Sequence, residues 1–189
     1  MKPKQEIEIK FRIEDARALN RGLRAAGFRL VMRSTHEVNT LYDFPSRSLR
    51  AAGALLRLRE YGEEWLLTHK AKAVAARHKT RVETETTVGD GAKMEAILRA
   101  LGMTPSFRYE KFRAEWKDRH GHVVVDRTPI GDFGEIEGPP GWIDRTATRL
   151  GLVAEQYITQ SYAELFFDWK RATGSRAEEM TFRAVRGRR

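Results

Sequence analysis

The 189-residue sequence contains no cysteine, which excludes a disulfide framework and every thiolate metal site. It has no apolar run of membrane-spanning length, and its opening residues lack the apolar stretch of a secretion signal. The chain is therefore expected to be soluble and cytoplasmic. A Walker-type glycine-rich phosphate loop is missing as well, so any phosphate chemistry must be carried by side chains. Apolar residues make up only 41% of the chain, yet their periodicity persists along most of it, which excludes a disordered composition.

What the chain has in quantity is charge. Charged residues account for 32%, the formal net charge is +9 and the pI is near 10.0, a balance that favours a polyanionic partner. Nucleic acid, a membrane surface and a phosphorylated small molecule all meet that description. The length suits one medium domain with a real core.

Two similar halves emerge along the chain. Residues 6–12 alternate as a strand, and Asp15 can cap a helix with Ala16, Leu19, Leu23 and Ala26 on one face before Gly27 stops it. Strand-like runs follow at 28–33, 38–43, 55–60 and 65–72, with turn signals at Pro45-Ser46, Ala52-Gly53 and Tyr61-Gly62. The pattern then restarts with a strand over 81–88, a helix over about 92–101 capped by Asp90 and ended by Gly102, and strands over 109–117, 122–127 and 133–137. A third helix is expected near Ile143. Leu23-Arg24-Ala25-Ala26-Gly27 and Leu98-Arg99-Ala100-Leu101-Gly102 end the first two helices alike, as a true repeat or as a common helix ending.

Strand parity sorts the charges. Glu6, Glu8 and Lys10 share one face while Ile7, Ile9 and Phe11 take the other. Arg57 pairs with Arg59, Lys70 with Lys72, and Lys111 with Arg113, while Arg81, Glu83 and Glu85 align and Glu135 and Glu137 flank Ile136. A dry interior for so many ions would cost on the order of 20 kcal/mol each before compensation, so these faces must meet water, ions or ligand. Acid pairs in the first and last strands bracket basic pairs between them, as expected of a sheet that curls into a closed barrel. Carboxylate oxygens suit a hard cation, and arginine forks and lysine point charges suit phosphate.

Glu6-x-Glu8-x-Lys10, the 39–44 segment Asn-Thr-Leu-Tyr-Asp-Phe, Leu49 through Arg59, Asp126 before Gly131-Asp132-Phe133-Gly134-Glu135-Ile136-Glu137, and Ser161-Tyr162-Ala163-Glu164-Leu165 together resemble the CYTH superfamily, the triphosphate tunnel metalloenzymes. The likeness runs from about residue 4 to about residue 168. It implies an α+β fold, a closed eight-stranded antiparallel β-barrel with helices packed outside, whose interior binds a triphosphate and a divalent metal, Mg²⁺ or Mn²⁺. By resemblance, Glu6, Glu8, Glu135 and Glu137 hold the metal with support from Asp126 and Glu85, while Lys10, Arg57, Arg59, Lys70, Lys111 and Arg113 grip the phosphates. Lys72 and Arg81 are further expected contacts. The implied activity is metal-dependent hydrolysis of inorganic triphosphate or a small organic triphosphate. Two alternatives are class IV adenylate cyclase activity and noncatalytic binding of polyphosphate or a 5′-triphosphate RNA end; no membrane partner and no other nucleic-acid partner is expected.

Two departures stand out. Lys2-Pro3-Lys4-Gln5 replaces the His-Phe pair that class IV cyclases often carry before the first strand, and Gln160 stands where many members place a lysine. The expected division is a tunnel domain over 1–168 and a C-terminal helix with a solvated basic tail over 169–189. His120-Gly121-His122 reads as part of a hairpin turn, and Trp65, Trp116 and Trp142 read as core. A homodimer is the default assembly, with no residue demanding it.

Overall fold

The computed structural model describes residues 4–186. Its strands are β1 (Lys4–Arg12), β2 (Arg29–Asp43), β3 (Leu55–Tyr61), β4 (Glu64–Lys70), the two-residue β5 (Val74–Ala75), β6 (Lys79–Val88), β7 (Thr104–Lys117), β8 (His122–Thr128) and β9 (Gly131–Glu137). The helices are α1 (Ala16–Ala25), α2 (Ser48–Ala51), α3 (Gly91–Ala100), α4 (Pro140–Arg149), α5 (Tyr162–Thr173) and α6 (Phe182–Arg186). Strands pair in the order β1-β9-β8-β7-β2-β3-β4-β6, and β6 returns to β1, so an eight-stranded antiparallel barrel closes with β5 as an appendage on β6. Closure leaves the ring without a free edge.

The two halves found in the sequence are equivalent in the ring. Each consists of a strand, a helix, a long strand and a hairpin. Exchanging β1 with β6, β2 with β7, β3 with β8 and β4 with β9 reproduces the same circular order. The equivalent strands β1 and β6 pair with each other, as do β2 and β7. The helix endings match too: Gly27 and Gly102 both adopt φ +84°, and Phe28 N–H and Met103 N–H bond back to the Leu23 and Leu98 carbonyls, each at 3.0 Å.

Alternation puts apolar side chains on the barrel's outer wall, where helices cover them. Ile9, Phe11, Trp116, Val123 and Ile136 pack against Leu23 of α1 and Trp142, Ile143 and Ala147 of α4. Tyr42 and Leu58 meet Leu98 of α3, with Trp65 and Leu67 alongside. Each large apolar side chain buried this way contributes roughly 1.5–3 kcal/mol. The three tryptophans read as core therefore sit in or against core. Asp15 caps α1 by accepting from Arg17 N–H and Ala18 N–H, at 2.8 and 3.0 Å. Asp118 accepts from His120 N–H and Gly121 N–H and forms the β7–β8 hairpin turn.

Several boundaries differ from expectation. The runs at 28–33 and 38–43 are one strand, β2, with register shifts between Leu30 and Met32 and between Met32 and Thr35. These bulges break the alternation, so the polar stretch between the runs looked like a loop. β4 stops at Lys70, which removes Lys72 from the strand, and β6 begins at Lys79. α4 starts at Pro140, because proline suits a helix's first position. The helix expected after Asp168 is present, and through Arg186 the segment is docked on the barrel and is not a solvated tail. α5 continues to Thr173, Met180 is fully buried against Phe107 and Phe166, and Glu110 N–H bonds to the Met180 carbonyl at 2.9 Å. Residues 2 and 3 of the Lys2-Pro3-Lys4-Gln5 departure, and Gly187, Arg188 and Arg189 of the basic ending, lie outside the described residues.

Candidate active site in the barrel

Inward side chains from seven of the eight barrel strands line a cavity of about 400 Å³. β1 supplies Glu6, Glu8 and Lys10, β3 supplies Arg57 and Arg59, and β4 supplies Lys70. β6 contributes Lys79, Arg81, Glu83 and Glu85, β7 contributes Tyr109, Lys111 and Arg113, and β9 contributes Glu135 and Glu137. Twelve of the fourteen residues expected from the sequence thus line one space. The exceptions are Asp126 and Lys72. Asp126 is fully buried behind Lys111 and Arg113, and Lys72 is exposed beyond the end of β4, on a neighbouring cavity.

Ion pairs organise the wall. Lys70 Nζ lies 2.8 Å from Glu6 Oε1 and 3.2 Å from Glu83 Oε2, Lys79 Nζ lies 3.0 Å from Glu8 Oε1, and Lys10 pairs with Glu135. Arg59 donates to Glu85 at 2.9 Å, and Thr68 donates to the same Glu85 oxygen at 2.6 Å. On the far wall Asp126 receives Lys111 at 3.0 Å, Arg113 Nε at 2.7 Å and the Tyr162 hydroxyl at 2.6 Å. Arg113 also reaches Glu135.

Glu37, fully buried, lies 3.3 Å from Lys111 Nζ and accepts from Asn39 Nδ2 at 2.8 Å. Sequence reading missed Glu37, Lys79 and Tyr162 as site residues. Strand parity could have found Glu37 two positions before Asn39. Tyr162 reaches the barrel from α5, outside any strand pattern.

These contacts fix the charge states. Burial alone would raise the Glu135 carboxyl, but Lys10, Arg113 and Lys111 hold it well below the usual carboxylate range. Burial pushes against ionisation of Glu8 too, and Lys10 and Lys79 overcome it. Glu6 goes the other way: burial raises it, and nearby Glu8 and Glu83 add to that against the pull of Lys70. Glu37 is held at about 2, its burial outweighed by Lys111, Arg113, Arg59 and Arg57.

The donor set suits a hard divalent cation. Every candidate ligand is a carboxylate, and Glu8 stands directly opposite Glu137 across β1 and β9, a like-charge register that a cation between them would relieve. Among the described residues no three such groups converge into a ready cage, and Glu6, Glu8 and Glu135 each have a lysine for counter-charge.

A family model for the CYTH domain matches residues 4–148. The chain belongs to the CYTH domain family. Its relatives include adenylate cyclase CyaB of Aeromonas hydrophila, 29% identical over 171 residues that span 85% of this chain and 87% of that protein. Among solved structures, the PH1012 protein of Pyrococcus horikoshii superposes with a TM-score of 0.72 at 25% identity, covering 85% of this chain and 98% of that one. HpAC1 from Hippeastrum, an adenylyl cyclase candidate described as revealing a dominant triphosphatase activity, shares the fold with a TM-score of 0.64 at 19% identity, over 86% of this chain and 95% of its own. No helix among the described residues is long and apolar enough to cross a membrane.

Proposed function

We propose that the barrel binds a triphosphate and catalyses its metal-dependent hydrolysis. One observation carries this reading. The buried guanidinium Nε atoms of Arg57, Arg59 and Arg81 have no hydrogen-bond partner among the described residues, in a cavity whose acids are otherwise matched by cations. Buried donors without acceptors cost about 1–3 kcal/mol each, and phosphate oxygens would satisfy them in the forked geometry that arginine provides.

Lys10, Lys70, Lys111 and Arg113 would add charge along the ligand, each already steadied by a carboxylate. A divalent cation held by Glu6, Glu8, Glu135 and Glu137, with Glu85 and Asp126 in support, would neutralise the reacting phosphoryl group and order the attacking oxygen. Glu8 and Glu135 stay ionised for that role, because neighbouring cations depress them. In hydrolysis water forms a bond to the terminal phosphorus, the bridging P–O bond breaks, and inorganic phosphate leaves a chain one phosphate shorter.

Similarity to a named adenylate cyclase over most of the chain favours a second reading. There the ribose 3′-hydroxyl attacks the α-phosphorus and pyrophosphate departs. The test incubates purified protein with tripolyphosphate, thiamine triphosphate and ATP in Mg²⁺ or Mn²⁺, measuring released phosphate and cyclic AMP together. Phosphate without cyclic AMP is the expected result. Cyclic AMP with pyrophosphate would replace the hydrolase reading, and tight binding without product under either metal would leave only a binding module.

A further inference from the structure

The Arg29 end of β2 runs on past its pairing with β3. That pairing begins only at Glu37, so residues 29–35 are backed by β7 alone, with the ladder interrupted by the register shifts at Leu30/Met32 and Met32/Thr35. Leu30, Val31 and Met32 stand there in succession, 40%, 53% and 41% exposed. The other exposed large apolar side chains among the described residues stand singly or, on α3, as the pair Ile97 and Leu101. Scattered apolar residues are ordinary on a surface, whereas three together at one strand end call for a partner.

Cations surround this tip. Arg29 and Arg33 flank its apolar residues in sequence, Lys117 lies opposite Arg29 in register, and Arg24 sits over Trp116, whose register partner is Leu30. Arg29, Arg33, Lys117 and, in the adjoining β7–β8 turn, Arg119 are exposed, and their side chains form no hydrogen bond or ion pair among the described residues. Acids beside them are few. Glu115, opposite Met32, is half-buried, and Asp118 is taken by His120 N–H, Gly121 N–H and the Trp142 indole.

We propose that this tip docks on an anionic lipid surface, with Leu30, Val31 and Met32 entering the headgroup–acyl boundary and the surrounding cations meeting lipid phosphates. A lipid surface satisfies both halves of the patch, since it offers hydrocarbon beneath and negative charge above. This reverses the expectation drawn from the missing apolar run, because surface docking needs no spanning segment. A second copy of the chain fits less well: a two-fold axis through the tip would set Arg29 and Arg33 against their own counterparts. Nucleic acid would engage the cations but leave the aliphatic side chains in water. Nor could its bases stack on the neighbouring aromatics, Phe28 and Trp116 being 5% and 2% exposed. The tunnel's mouth, between α5 and the loop carrying Arg47, is lined by residues 41–43 of β2 and 104–107 of β7, the opposite ends of the same two strands. Docked by the tip, the protein keeps that mouth turned to solvent.

The experiment sediments the full chain with vesicles of phosphatidylcholine alone and of phosphatidylcholine mixed with phosphatidylglycerol. The proteins compared are the parent, Val31→Ser/Met32→Gln and Arg29→Gln/Arg33→Gln, whose thermal midpoints should all agree because these side chains are exposed. The parent should bind the mixed vesicles at least about tenfold more tightly than the neutral ones, since each arginine or lysine at an anionic surface is worth about fivefold. Either variant should lose roughly tenfold or more on the mixed vesicles. Equal binding to the two vesicle types would overturn the proposal, as would parent-like affinity in either variant; loss in the arginine variant alone would mark a purely electrostatic surface of the kind nucleic acid uses. A concentration-dependent dimer in sedimentation velocity that Val31→Ser/Met32→Gln dissociates would also overturn it and assign the tip to a second copy.

Discussion

Tyr162 donates its hydroxyl hydrogen to Asp126 Oδ2 at 2.6 Å, joining the first turn of α5 to a carboxylate buried in the barrel wall. Two cations lie near the ring, Lys10 Nζ 4.5 Å and Lys111 Nζ 4.9 Å from its centroid. Burial and the nearby Asp126 charge push the phenol well above its ordinary range, so it remains a donor. The capping box formed by Ser161 and Glu164 fixes the helix turn that aims it. Tyr162→Phe keeps the ring and removes one donor from a buried charge, and should cost about 1–3 kcal/mol in chemical denaturation. It should also raise KM for triphosphate more than it lowers kcat, because Lys111 and Arg113 would be drawn closer to Asp126. An unchanged denaturation midpoint and unchanged KM would show that the hydrogen bond carries neither role.

Glu37 makes the protein's acid stability testable. Its carboxyl is held at about 2 in the folded chain against an ordinary 4.5, so the native state keeps it ionised where the unfolded chain begins to bind a proton. The stabilisation is complete above about pH 4.5 and fades as pH falls toward 2. For a fully buried group a shift of this size corresponds to roughly 3 kcal/mol. Denaturation midpoints measured across that window should fall more steeply for the parent than for Glu37→Gln, which should be less stable at neutral pH. Parallel curves would remove Glu37 from the account.

Glu8 and Arg57 should separate turnover from binding. Glu8→Gln keeps the side chain's shape but weakens a candidate ligand, and should lower turnover by about a hundredfold or more, since even outer partners of a metal cost 10–100-fold. Its thermal midpoint should change little. Arg57→Ala should chiefly raise KM by about tenfold or more, through loss of a charged phosphate contact. An unfolded Glu8→Gln protein would make that face structural and sink the site assignment.

Gly134 tests the packing behind the site. A Cβ there would fall 2.2 Å from Phe11 Cζ, and Phe11 is only 2% exposed, so neither group has room to yield. Gly134→Ala should destabilise by about 1–3 kcal/mol. Adding Phe11→Leu should restore part of that loss, a coupling that a denaturation double-mutant cycle would measure. Strictly additive effects would contradict the contact.

Parity arguments reached the inner wall because a strand's alternation is local: Glu6, Glu8 and Lys10 declare their shared face within five residues. They failed where local order and spatial order part. Glu37 shares the parity of Asn39, but it sits just beyond the β2 bulges and its partner Lys111 is distant in the chain, so its charge partner could not be read locally. Lys72 kept the parity of Lys70, but the strand ended before reaching it. Tyr162 was visible as a motif residue, yet only the docking of α5 brings it to Asp126. The helix endings at Gly27 and Gly102 left repeat and coincidence equally open, and the ring order decided for the repeat.

That ring order bears on direction. A barrel made of two interchangeable halves would look the same from either mouth, and a linear phosphate chain, whose two ends are also alike, could lie in it either way round with equal energy. In this chain the halves have diverged in what they carry: β1 presents Glu6, Glu8 and Lys10, while its counterpart β6 presents Lys79 and Arg81 beside Glu83 and Glu85. Only one mouth is walled by α5 and the Arg47 loop. The backbone keeps the symmetry and the side chains break it, giving the passage a front and a back.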